Sequence, residues 1–236
     1  MTLSAVGHAH TATGRDMTGR FMILLAGLLL AAPSVEANEL SLPCPECAPE
    51  YAQLSSICFS PQPADKLAAC SKILSLKLPK TIRAFVQWQR GTLLSARGRH
   101  KEALRDLSAA IQVLPNQAYL RNERAWALVR LGRPLEGLKN VEEVLRHFPE
   151  FHDVRDTRAH IRLAQGRPEE ALADFMYAFE YGDGRIRRLY ACGLRDAGIL
   201  STAGEDQRLD IVKGLAKCVQ TRGCSPVPKI LESCPN

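Results

Sequence analysis

Aromatic residues make up only 6% of the 236-residue chain, and glycine and proline number 16 and 14, too few for a collagenous or low-complexity protein. No block of like charge reaches five residues. Together with 46% apolar and 24% charged content, this excludes bulk disorder and leaves material for one or two packed cores. Catalytic signatures are absent: the chain contains no HExxH, GxSxG, Walker loop or GxGxxG, and no spacing of Ser, His and Asp joins them into a triad. No apolar run reaches the roughly 20 residues that cross a bilayer. The expectation is a protein that is not an enzyme and carries neither cofactor nor metal.

What is present begins at the amino terminus. From Met17 the chain reads MTGR, then FMILLAGLLLAA over 21–32, then Val35-Glu36-Ala37. A short basic stretch, an apolar core and a small-residue cleavage pattern are the parts of a secretory signal peptide. We therefore take 1–37 as the signal region, cleaved after Ala37. A lipid anchor needs a Cys directly after the apolar core, whereas Cys44 comes seven residues beyond Ala37. Removing Arg15, Asp16, Arg20 and Glu36 with this segment takes the balance from 31 bases and 25 acids to 29 and 23, so the charge stays +6. Export to the periplasm argues against nucleic acid as the partner of that charge, and no integral membrane segment remains after cleavage.

The middle of the chain is periodic. Gly98, Gly132 and Gly166 are 34 residues apart, each followed by Arg in GRHKEAL, GRPLEGL and GRPEEAL, and Pro115 and Pro149 are also 34 apart. Within each unit the apolar pattern gives two helices, such as Ile82 to Arg97 and Lys101 to Leu114, joined at a Gly where a left-handed turn costs little. Periodicity of this kind marks a helix-turn-helix array, which needs capping segments at its ends.

These units resemble the tetratricopeptide repeat family. Unit 84–117 has Gly91, Leu94, Ala103, Leu107, Ala110 and Pro115 at the family's offsets. Unit 118–151 supplies Ala125, Leu128, Leu145 and Pro149, with Gly137 and Val144 replacing the usual alanines. Unit 152–185 gives Ala159, Ala171, Phe175 and Ala178, with Asp183 where Pro would stand. The resemblance implies an all-α fold, a right-handed superhelical solenoid of antiparallel helix pairs with disulfide-clamped ends. A Cys-containing segment, 38–83, precedes the repeats with one helix or a helix pair, and 186–236 follows with capping helices, Arg187 to Leu200 and Glu205 to Thr221, and a Cys-rich tail.

One departure from the family pattern is itself periodic. Where the usual first-helix Leu stands, this chain has Arg90, Arg124 and Arg158, and the second helices carry Asp106, Asn140 and Asp174 at one fixed position. A buried Arg needs a charged or hydrogen-bonding partner. Pairing of Arg with Asp or Asn between packed helices is expected, in preference to an exposed Arg ladder binding an anion.

Eight cysteines in an exported chain read as four disulfides. The stretch around Cys58 and Cys70 resembles the amino-terminal part of secreted bacterial tetratricopeptide proteins, and that resemblance implies a Cys58–Cys70 bridge. Cys218, Cys224 and Cys234 are expected to clamp the tail, with Cys192 as the fourth thiol and the pairing open. Cys44-Pro45-Glu46-Cys47 has the CxxC form of a redox centre, but no strand precedes it. A zinc site from Cys44, Cys47, Cys58 and Cys70 would compete with oxidation. Structural disulfides are the plainer reading.

In the family, first helices line a concave groove, and the side chains facing it here are Phe85, Trp88 and Thr92, then Tyr119, Asn122 and Trp126, then Asp153, Asp156 and His160, then Arg187 and Tyr190. Both tryptophans fall in that set. They serve either as anchors for a partner or as filling between helices. The groove lacks the lysines with which the family clamps a carboxy-terminal carboxylate. His100, His147, His152 and His160 stand at turns or on different helices, where solvated side chains are expected. Glu169 and Glu170 suit the first turn of a second helix. The function expected is binding of a protein or peptide partner in the groove. The alternatives are thiol-disulfide redox chemistry at Cys44 and Cys47, or binding of an envelope polymer through the basic surface.

Overall fold

A computed structural model describes residues 43–60, 65–201 and 207–230; the expected signal region 1–37, the expected helix start at Glu205 and Cys234 lie outside them. Ten helices occupy the described residues: α1 (Glu50–Phe59), α2 (Lys66–Leu74), α3 (Lys80–Ala96), α4 (His100–Val113), α5 (Ala118–Arg130), α6 (Pro134–His147), α7 (His152–Ala164), α8 (Pro168–Tyr181), α9 (Gly184–Asp196) and α10 (Gln207–Gln220). Each packs on its neighbours in sequence, and the first helices of successive pairs also touch, α3 on α5 and α5 on α7. This is an all-α, sequential array of helix pairs.

The turn between paired helices recurs because one glycine conformation recurs. Gly98, Gly132 and Gly166 have φ of 75°, 72° and 71°, a region costly for any side chain. At each, the following N–H closes on a carbonyl five residues back: Arg99 on Leu94 at 2.8 Å, Arg133 on Leu128 at 2.9 Å and Arg167 on Arg162 at 3.0 Å. That Schellman closure satisfies the last carbonyls of the first helix. The Arg then folds over the next helix, and Arg99, Arg133 and Arg167 each grip Glu102, Glu136 and Glu170 through two nitrogens at 2.5–2.7 Å. The periodic GR dipeptide therefore stops one helix and steers the start of its partner.

A fourth copy of this turn closes α9. Gly198 has φ 66° and Ile199 N–H reaches Leu194 O at 2.9 Å. It stands 32 residues after Gly166 and is followed by Ile rather than Arg, which hid it from the 34-residue period. α9 also begins earlier than the expected Arg187, at Gly184, because the Asp183 carboxylate caps it by accepting from Ile186 N–H at 3.1 Å. The residue that stands in the Pro slot is thus a helix cap.

The core follows the small-residue positions. Ala84, Ala103, Leu107, Ala110, Leu120 and Ala127 are fully buried between α3, α4 and α5. A larger cluster around Phe175, Phe179, Tyr190, Leu194 and Leu215 ties α8, α9 and α10 together. At the other end α1 and α2 form a pair bridged by Cys58–Cys70. Arg83 fixes that pair to α3 by donating to the carbonyls of Leu74 at 2.9 Å and Leu76 at 2.8 Å.

The tail after α10 takes a path that periodicity does not encode. A Cys218–Cys224 disulfide turns the chain back. Pro226 then presses its carbonyl against Gly193 of α9, where a Cβ would collide with it. Arg130 at the end of α5 donates to Pro228 O at 2.9 Å, and Ile230 reaches the Gly98 turn, 3.7 Å from where a Cβ there would stand. Pro226, Val227 and Pro228 are buried. The tail runs against chain order, from α9 over α5 to the α3–α4 turn.

Candidate functional site

Two sets of charged side chains are organised by the helix pairs. The first lies between first and second helices. Arg90 donates Nε and Nη2 to the two Asp106 oxygens at 2.6 and 2.8 Å, and Arg158 grips Asp174 in the same way at 2.8 and 2.7 Å. Arg162 adds a 2.5 Å bond to Asp174, and Arg155 stands 3.6 Å from it, so one buried carboxylate holds three guanidinium groups. The middle unit departs from the expected pairing. Arg124 donates Nε backward to Ser108 on α4 at 3.1 Å, and Asn140 is buried with its Nδ2 unbonded. A neutral amide attracts a guanidinium less than a carboxylate does, so the hydroxyl of the preceding pair takes the Arg.

The second set lies on the face shared by α3, α5, α7 and α9. Phe85 and Trp88 are half-buried and stacked, with ring centroids 6.3 Å apart, and Thr92 lies half-buried one turn on. Tyr119 is 55% exposed and packs edge-on to Phe151. Arg187 is exposed. Asn122, Trp126, His160 and Tyr190 are buried instead. Trp126 packs edge-on to His160 beneath the Arg130 guanidinium, 5.3 Å from the ring centre, and the tail bond of Arg130 holds that cover in place. Trp126 is therefore filling between helices, while Trp88 keeps part of its ring open.

Around Tyr190 the face is acidic. Asp156 and Asp153, on α7, keep 17% and 18% of their side chains exposed, and Glu123, on α5, is half-buried. Tyr190 Oη donates to Asp156 Oδ1 at 2.7 Å, and Arg185 donates to Asp153 Oδ1 at 2.9 Å. Burial pushes the Glu123 carboxyl up to about 7, against the pull of Arg185 and with the help of Asp153. Burial also pushes Asp156 up to about 7, although the Tyr190 bond opposes it. His160 was expected to be solvated; it is 8% exposed, and burial, reinforced by Arg130, holds its imidazole down to about 3, hence neutral. Its Nε2 has no hydrogen-bond partner and stands 4.0 Å from Asp156 Oδ1. Glu123, Arg130 and Arg185 were not picked out from the sequence. A charge directly beside a groove position, as Glu123 is beside Asn122, is the signal that points to the first of them.

Cys44–Cys47 and Cys58–Cys70 are both disulfides, which removes the thiolates a zinc site would need. Cys192 is disulfide-bonded too. Among the described residues no group of three or more His, Cys, Asp or Glu is placed to hold a metal ion, and no helix is long and apolar enough to cross a membrane. Disulfides point to an oxidising, extracytoplasmic compartment. The fold and this face define a disulfide-stapled helical array of repeat type. No protein-family model matches the chain, and no curated protein is significantly similar to it.

Proposed function

We propose that the protein is an exported, tetratricopeptide-like interaction module, acting in the periplasm, that binds a protein or peptide along the groove formed by α3, α5, α7 and α9. One observation carries this reading. Between first and second helices, Arg90 and Arg158 are closed by their own acids and Asn140 Nδ2 alone is left unbonded, whereas the first-helix face leaves polar atoms of both Asn122 and His160 buried without partners. Buried polar groups are ordinarily satisfied, so a face that leaves them open is one that a partner completes. The half-buried Phe85–Trp88 stack and exposed Tyr119 add aromatic area beside them, of the kind that anchors partners.

The test is site-specific photocrosslinking. A photoreactive residue at Thr92, on the face, is compared with one at Ala173, exposed on α8. A discrete adduct formed from Thr92 and reduced at least tenfold by Trp88→Ala, with none from Ala173, is the expected result. Equal labelling from both positions rejects the groove.

A second reading keeps one observation in its favour. The Cys44–Cys47 disulfide is half-exposed and lies just ahead of α1, accessible to another thiol. Turnover of a disulfide substrate that is lost in Cys44→Ser would move the proposal there.

A further inference from the structure

We propose that the acidic part of the first-helix face is a pocket for one cationic side chain, a lysine ammonium or arginine guanidinium, presented by the bound partner. The inference rests on the groove reading above and names what that groove recognises. Three carboxylates, Glu123, Asp153 and Asp156, stand on adjacent helices, with Asp153 near enough to Glu123 and to Asp156 to raise both. Against them the chain supplies Arg185, bonded to Asp153, the His152 imidazole 3.6 Å from the same Asp153 oxygen, and Arg130, which is tied to the tail and lies over Trp126. Two arginines thus face three carboxyl groups.

A second, independent feature marks where that charge goes. His160 Nε2 is buried, has no partner, and faces Asp156 Oδ1 across 4.0 Å. That gap is too wide for a hydrogen bond between the two groups. One ammonium about 2.8 Å from each acceptor would span that separation, and since Nε2 is closed to solvent in the free chain, its entry displaces the side chains that cover the imidazole. Were His160 there only to pair with Asp156, it would be charged and in contact; its burial keeps it neutral. A neutral imidazole carries one ring lone pair, and with that lone pair on Nε2 the ring is an acceptor waiting for a donor. Tyr190 occupies another lobe of the same Asp156 oxygen and fixes the carboxylate in position. Asp153, held by Arg185, sets the field on the far side. The arrangement discriminates by charge: a partner placing a carboxylate here adds a fourth acidic group to three, and one placing an apolar group leaves His160 and Asp156 unsatisfied.

The experiment selects binders to the oxidised protein from a random peptide library and replaces each Lys or Arg of the selected peptides by norleucine. The result expected is a Lys or Arg at one fixed register. Affinity should fall at least tenfold on its replacement, and that difference should vanish in Glu123→Gln/Asp156→Asn while surviving in Glu142→Gln, a charge control exposed on α6. Peptides that bind equally well with norleucine, or that discriminate equally in the double variant, overturn the cation pocket and leave the groove standing. In parallel, n-butylammonium chloride and n-pentanol are titrated while the His160 and Trp126 ring resonances are followed by NMR. Shifts with butylammonium alone support the pocket even if no peptide is selected, an outcome that removes only the peptide reading. No selected peptide together with no butylammonium shift overturns both.

Discussion

The chain buries charge in two ways within a few turns of one another. Between first and second helices, Asp174 is 2% exposed at its side chain and held by Arg158 and Arg162, and Asp106 is gripped through both oxygens by Arg90. On the first-helix face, Asp156 keeps only the Tyr190 hydroxyl at 2.7 Å, and Glu123 is pushed up by burial with no bonded cation to hold it down. The same residue types therefore belong to different parts of the molecule's economy. A closed pair fixes helix against helix. An open carboxylate costs stability in the free protein and returns it when something binds.

The largest effect tests the closed set. Asp174→Ala leaves Arg158 and Arg162 without their acceptor in a buried site, and it should destabilise the protein by about 3–5 kcal/mol, read from urea unfolding of the oxidised protein. A loss below about 1 kcal/mol, the scale of an exposed pair, would erase the contrast between the two sets.

The tail, which borders the open face, comes next. Gly193→Ala puts a methyl group against the Pro226 carbonyl, and overpacking of this kind costs about 1–3 kcal/mol. Because Arg130 shares the tail through Pro228 O, the same variant should loosen the cover over Trp126, seen as raised quenching of its fluorescence by acrylamide. Lost stability without raised quenching would separate the tail from the open face.

How much of this was legible in the sequence depends on whether it repeats. Gly98, Gly132 and Gly166 announce themselves because a positive φ can be met cheaply by one residue type, and the Arg that follows each has a fixed Glu to grip. Arg90 with Asp106 and Arg158 with Asp174 were readable because one offset of 16 residues recurs. Trp126 was not. Its position in the repeat says which way it points, while its burial depends on Arg130 and on a non-periodic tail arriving from residue 228. Glu123 and His160 were opaque for a related reason: position suggests a direction, but the field at each comes from residues on other helices.

The open set makes its own prediction through pH. Glu123 and Asp156 have folded-state values raised to about 7, above the roughly 4 of an unfolded carboxyl. Between those values the folded protein holds more protons than the unfolded one, so stability falls as pH rises from about 4 to about 7. The penalty is complete above the folded values and absent below the unfolded ones. Glu123→Gln/Asp156→Asn should therefore flatten that slope and leave the variant more stable than wild type at pH 8. A variant less stable than wild type at pH 8 would mean these carboxylates are already satisfied within the chain, and the two sets would not differ in kind.

The smallest effect sits where the closed set is incomplete. In the middle unit Asn140 occupies the position of Asp106 and Asp174, its Nδ2 is buried without an acceptor, and Arg124 turns instead to Ser108. Asn140→Asp removes the orphan donor and offers Arg124 a carboxylate at the same offset that Arg90 and Arg158 use. With one bond already spent on Ser108, the net gain is the difference between a charge-assisted and a neutral hydrogen bond, about 0.5–1 kcal/mol, measured as a higher urea midpoint with an unchanged slope. The alternative outcome is equally informative. If the variant is destabilised, Arg124 does not swing toward α6 and a lone carboxylate has been buried, so the backward bond to Ser108 is the middle unit's own solution. The pairing between first and second helices would then depend on each unit's local fit more than on the period that brings the residues into line.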